Sequence, residues 1–166
     1  TVDDVLVAHR ARRDTGHEHA GGALLLEASR ASQLRAAAQP DDSLAVGLVG
    51  DTGLAGLEAA RDALQDDPWV RLDHVQLSLP GTDRPAAAVN HLLSDLSFTV
   101  PTFVVVRPGA GLADVLAAVA HDGAERVALR CGPDDVPEPD ALADFLLGCA
   151  TRRLPFRLTD GLVQAV

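Results

Sequence analysis

The sequence predicts an α/β protein of repeated βα units, with a parallel sheet of five or six strands that is incomplete and (β/α)-barrel-like. An open doubly wound sheet is the alternative. Three observations carry this. Short Val- and Leu-rich runs alternate with segments whose apolar residues recur every three or four positions, as strands and crossover helices do in turn. Hydrophobic residues make up 47% of the chain but aromatic ones only 3%, so the core must be layered from Ala, Val and Leu, which suits a parallel sheet under helices. The linkers are short with one exception, so the 166 residues read as a single domain, 1-166, long enough to bury a core.

The elements follow in order. "VDDVLVAHRARR" reads as an N-terminal helix over residues 1-13, acids first and arginines last, as the helix dipole prefers. Residues 14-22, "DTGHEHAGG", read as a mobile loop rich in Gly and His. The strands are expected at Ala23 to Ala28, Leu44 to Val49, Arg71 to Leu79, Thr102 to Arg107, Arg126 to Arg130 and Pro155 to Leu158. Between them run helical stripes: Leu54, Leu57 and Leu64; Val89, Leu92, Leu93 and Leu96; Leu112, Val115, Leu116 and Val119; Leu142, Phe145, Leu146 and Cys149. "PEPDALADF" starts the last helix with proline and acids in its first turn. Parallel strands need right-handed crossovers, which leaves the barrel-like and doubly wound topologies, and six strands fall two short of the usual barrel.

Charge and cysteine content narrow the partners. A net charge of -10 argues against nucleic acid and against an anionic membrane surface, where clustered positive charge supplies most of the affinity. All 14 basic residues are arginine, a bias of coding background. Cys131 and Cys149 are too few for a disulfide framework, no basic flank followed by a long apolar run is read in the first residues given, and runs such as "GGALLL" and "FVVV" fall far short of the roughly 20 residues that span a bilayer. A cytoplasmic protein with no membrane segment is expected.

"LAVGLVGDTGLAGLEAA", Leu44 to Ala60, raises the question of a phosphate-binding loop. Its glycines follow G-x-x-G-x-x-G, Gly47 falls inside the apolar run, and only Gly50 and Gly53 are free to form a turn. The next strand, "HVQLSL", lacks the acid that holds a ribose, and no Gly-Lys-Ser/Thr ending is present. Asp51 would set a carboxylate at the helix N-terminus in competition with phosphate. The stretch reads as a plain strand-to-helix turn.

The stronger signal comes from strand alternation. If Val104 and Val106, Val127 and Leu129, and Phe156 and Leu158 face the helices, then Arg107, Arg130 and Arg157 share the opposite face near the C-terminal ends of three successive strands. Ligands of α/β proteins bind at that edge, and three guanidinium groups favour phosphate or carboxylate. Glu27, Asp51, His74, Thr159 and Asp160 are the polar groups available as partners, and pairing with acids such as Glu27, Asp51, Asp134 or Asp160 would instead make the arginines structural.

Other candidates are weaker. His17 and His19 with Glu18 supply too few ligands for a metal site, so neither metal nor cofactor is expected. His74 lies mid-strand with no acid or nucleophile identified beside it, and reads as a buried or half-buried histidine. Cys131 falls among the helix-facing residues and Cys149 on an apolar stripe, so both read as core. Serine-hydrolase and zinc-protease motifs are absent from the sequence.

"ERVALRCGPDDVPEPDALADFLLGCATRRLPFRLTDGL", with the preceding "GLADVLAAVAHDGA", resembles the C-terminal part of an uncharacterised, mainly actinobacterial family of (β/α)-barrel-like proteins. That family has a strand ending Lys-x-Arg-x-Gly-Gly and a segment Phe-Lys-Ala-Thr-Ala-Gly-Leu-His-His. The resemblance covers about the last third of the chain, with a fainter trace in "GGALLLEASRASQL". Arg130, Gly132, Phe156, Thr159, Gly161 and Leu162 agree with the motifs. The motif lysines are replaced by Ala128 and Arg157, the second glycine by Pro133, the histidine pair by Val163 and Gln164, and acids of earlier strands by Gln76 and Val105. The resemblance thus implies a shortened, degenerate member that has lost most groups able to move protons.

The resulting expectation is a non-catalytic or degenerate barrel-like protein acting as a binding or subunit-type protein. It would be a homo-oligomer, or a hetero-oligomer with a homologous chain, and would take a small anionic ligand. The alternative is an enzyme acting on a small phosphorylated or carboxylated metabolite.

Overall fold

The computed structural model describes residues 1-14, 22-79, 84-95, 99-109, 111-122, 126-132 and 136-159. Helix α1 (Val2–Asp14) precedes strand β1 (Leu24–Glu27), a 3-10 turn (Ala28–Arg30), α2 (Ala31–Ala37), β2 (Leu44–Val49), α3 (Gly53–Leu64) and β3 (Val70–Ser78). Then come α4 (Pro85–Ser94), β4 (Thr102–Val106), α5 (Leu112–Asp122), β5 (Arg126–Arg130), α6 (Pro139–Arg152) and β6 (Phe156–Thr159). The paired strands run parallel, and their order in the sheet is β1-β2-β3-β4-β5-β6. Every crossover therefore steps the same way, which is the order of an incomplete (β/α) barrel. A doubly wound sheet reverses its order at a switch point and binds there, and this chain has no such reversal among the described strands.

The chain forms two compact units, Thr1–Gln76 and Leu77–Val166. In the first, Val46 and Leu48 of β2 and Val75 of β3 are buried, as are Leu57 and Leu64 of α3 and Leu34 of α2. Each such side chain contributes about 1.5–3 kcal/mol through burial. Helix α1 buries Val2 and Leu6 and is tied down by Arg10, whose Nε and NH2 groups donate to the two Asp42 carboxylate oxygens, each at 2.7 Å. The second Asp42 oxygen also accepts the Gln39 N–H at 2.8 Å. This paired geometry makes a buried carboxylate tolerable, and the Arg10 bond holds the Asp42 carboxyl down to about 2 against the opposing effect of burial.

In the second unit one cluster joins Val104 and Val106 of β4, Val127 and Leu129 of β5, and buried residues of α5 and α6, among them Leu116 and Phe145. A separate small cluster, Phe103, Val105 and Ala128, marks the face away from the helices. Helix α6 begins with Pro139 in its first turn and ends at Arg153, whose φ of 55° places it in the left-handed region. There the Leu154 N–H reaches back to the Cys149 carbonyl at 3.0 Å, closing the helix end.

The expected strands match the observed ones to within one or two residues at either end. Helix α2 and its 3-10 turn were not expected, because seven residues with only Ala31 and Leu34 buried carry too little stripe to register as a period. Residues 15-21 of the expected mobile loop, with His17, Glu18 and His19, lie outside the described residues, as do Asp134 and Asp160-Val166. Among the described residues no helix is long and apolar enough to cross a membrane.

Candidate functional site

Strand register in the second unit places the arginines. Val105 of β4 pairs with Ala128 of β5, which pairs with Arg157 of β6; Arg130 pairs with Thr159. Phe103, Val105, Ala128, Arg130, Arg157 and Thr159 thus lie on the face opposite Val104, Val106, Val127 and Leu129, which pack under the helices. Arg107 follows the last paired row, Val106 with Leu129, and so comes level with Arg130; it is exposed. Arg130 and Arg157 are half-buried, and the Nε atom of each is fully covered. Thr159, 7% exposed, stands beside Arg130.

Arg157 differs in level from the other two. It occupies the row of Ala128, and its guanidinium carbon lies 3.9 Å from the centre of the Phe103 ring. Arg126, register partner of Phe103, brings a second guanidinium carbon to 5.8 Å from the same ring. Sequence reasoning passed over Arg126 because it sits at the start of its strand, where ligands of this fold class are not sought. Its alternation with Ala128 and Arg130 was the available signal.

Glu27, Asp51 and His74 belong to the first unit. Glu27 pairs with Arg30 at 2.6 Å. Asp51 does not cap α3 as expected. It accepts the Ser29 N–H at 3.1 Å from the neighbouring turn; burial opposes its ionisation, but the hydrogen bonds from Ser29 outweigh it and keep the carboxyl below its usual range. The Gly50 N–H donates to the Gln76 carbonyl and the Asp51 N–H to that of Val49, so amides a phosphate loop would present are already engaged. Gly53, at φ 76°, opens the helix. The loop is a strand-to-helix turn.

His74 does have an acid beside it, which the sequence reading did not identify. Val46 pairs with Leu72 but the next residue, Gly47, pairs with His74, so β3 carries Asp73 as an extra residue at an irregularity. The break in alternation lets the Asp73 carboxylate meet the His74 Nδ1 at 3.0 Å, while Nε2 faces the Gln76 amide at 3.5 Å. The imidazole, 4% exposed, lies against the Gly47 backbone, where a Cβ would overlap it. The His74 bond, backed by Arg71 at 3.1 Å, holds Asp73 below the usual carboxylate range. An oriented histidine of this kind can exchange a proton. Asp73 also lines a cavity of about 860 Å³ beside α1, with Val5, Ala8, Leu25 and Ala45 among its walls.

Cys131 and Cys149 are thiols buried in the helix-side cluster, and burial pushes the Cys149 thiol up to about 11. Among the described residues no group of three or more His, Cys, Asp or Glu side chains is placed to hold a metal ion. The chain matches no family model, and neither a curated protein nor a solved structure matches it, so the reading of its function rests on this geometry.

Proposed function

We propose that the chain is a binding or subunit-type (β/α)-barrel-like protein that takes a small phosphorylated or carboxylated ligand on the face of β4, β5 and β6 away from the helices. The observation that carries this reading is the gathering of Arg107, Arg130 and Arg157 on one face, beside Thr159, in a chain of net charge -10. Guanidinium groups in that setting attract anions locally while the rest of the surface repels them. The reading includes a cytoplasmic setting, with which two buried thiols agree.

The test is thermal melting of the chain in millimolar orthophosphate against chloride at equal ionic strength. A ligand of the native state raises the melting temperature by mass action. The rise is expected with phosphate, and both Arg107→Ala and Arg130→Ala should lose it while still melting cooperatively. Equal effects of phosphate and chloride, or variants that keep the rise, would make the arginines structural.

Association with a second copy or a homologous chain belongs to the same reading. Leu25 of β1 is 47% exposed, and Phe156 and Leu158 of β6 are 44% and 38% exposed, on the two strands that end the described order. Such edges call for pairing or cover. Light scattering at micromolar concentration should give a mass above that of one chain, and a monomer would count against this part.

The Asp73–His74 pair favours a second reading, an enzyme acting on a small phosphorylated or carboxylated metabolite, with His74 as the proton-transfer group. Exchange of ligand hydrogens with deuterium oxide, lost in His74→Gln, would support it over binding alone.

A further inference from the structure

Helix α6 exposes an apolar side chain near its middle. Among the described large apolar residues Leu147 is the most exposed, at 68%. It borders a groove of about 690 Å³ between α5 and α6, whose lining includes Leu112, Ala113, Leu116 and Gly148. A Cβ on Gly148 would stand 2.6 Å from the Leu116 Cδ1, so the glycine lets the two helices close up and leaves α6 low at that position.

Polar groups stand on both sides of this low place. Asp144 precedes Gly148 by one helical turn, Thr151 and Arg152 follow it by another, and all line the same groove. At a rise of about 1.5 Å per residue, Asp144 and Arg152 are about 12 Å apart along the axis, too far to pair on one helix. The Arg152 NH1 group donates to the Gly148 carbonyl at 3.2 Å. Opposite charges set about a common centre are what a twofold contact requires, because each residue then meets its complement on the other copy. When two copies of α6 lie antiparallel, with the axis between positions 147 and 148, Leu147 of each stands over Gly148 of the other. Asp144 of each then comes level with Thr151 and Arg152 of the other.

We infer that the α5–α6 groove docks a second copy of this chain, α6 against α6, with Leu147 of each copy in the groove of the other and Asp144 of each paired with Arg152 of the other. This rests on the self-association reading above but assigns it a surface other than the exposed edges of β1 and β6. The occupant is a second copy because the charge pattern complements itself.

The experiment is sedimentation equilibrium of the full chain across the micromolar range, repeated on Asp144→Arg, Arg152→Glu and Leu147→Gln. The parent should be a dimer. Each charge variant alone sets like charges against each other at both ends of the contact and should weaken the dimer at least about tenfold. An equimolar mixture of the two restores opposite charges at both ends, and should form a mixed dimer within about threefold of the parent affinity. Leu147→Gln should weaken the dimer at least about tenfold without a change of charge. All three positions are exposed or half-buried, so the variants should still melt cooperatively. If the parent associates and the variants associate as tightly, the α6 inference fails and association through the sheet edges stands. The inference fails also if the charge variants lose the dimer and their mixture does not regain it. A parent that stays monomeric overturns both.

Discussion

Gly47 and His74 are register partners on β2 and β3, and the imidazole ring fills the space a side chain on Gly47 would need. The absence of a Cβ at position 47 is therefore a packing requirement of the buried histidine. Gly47→Ala should cost about 1–3 kcal/mol, as overpacking of a filled site does. In the His74→Ala background the same change should cost at least about 1 kcal/mol less, because contacting residues couple. Urea unfolding of the four proteins measures this, and additive losses would show that the ring does not set the requirement.

That pair also shows where the sequence was legible and where it was not. Alternation in "FVVV" and "RVALR" correctly separated the helix-facing valines from Phe103, Ala128 and Arg130, because those strands are regular. The same rule hid the Asp73–His74 contact, since neighbours in a regular strand face opposite ways and only the extra residue in β3 brings them together. Arg157 lies on the face of Ala128 and Arg130, in the row of Ala128. Alternation fixes the side of a sheet but not how far a long side chain reaches, and this one ends with its guanidinium carbon 3.9 Å from the centre of the Phe103 ring.

Acid stability should reflect Asp42. Its carboxyl is held at about 2 in the folded chain against 3.8 for an unperturbed one, so the protonated unfolded state gains as pH falls. The stabilisation is complete above about pH 4 and fades toward pH 2, amounting to about 2 kcal/mol. Asp51 and Asp73, also lowered, act in the same direction. Arg10→Met, which leaves the buried carboxylate without its guanidinium, should move the start of acid unfolding above pH 4 and cost about 3 kcal/mol at neutral pH. Circular dichroism across a pH series reads both effects, and an unchanged acid limb would contradict the assignment.

Neither cysteine should react in the native chain. Cys131 and Cys149 are buried, and the Cys149 thiol titrates only near 11. An aromatic disulfide reagent at about pH 8 should modify both thiols in denaturant and neither without it. Rapid labelling of the folded protein would mean that the cluster between sheet and helices opens readily.

Arg153 ends α6 in the left-handed region, where a Cβ is strained. Arg153→Gly should stabilise the chain by about 0.5–1 kcal/mol, the relief of that strain less the extra entropy glycine has when unfolded. A lowered melting temperature would indicate that the arginine side chain contributes more than its backbone costs.

The central claim is that the arginine face of β4, β5 and β6 holds an anion, and its most direct measurement is anomalous diffraction from crystals grown in sodium selenate. Selenate has the size and charge of a tetrahedral oxyanion, and its selenium is located without reference to the protein density. An anomalous peak is expected within hydrogen-bonding reach of the guanidinium groups of Arg107, Arg130 or Arg157. Peaks confined to other parts of the surface, with carboxylates of the chain bonded to those arginines, would contradict it.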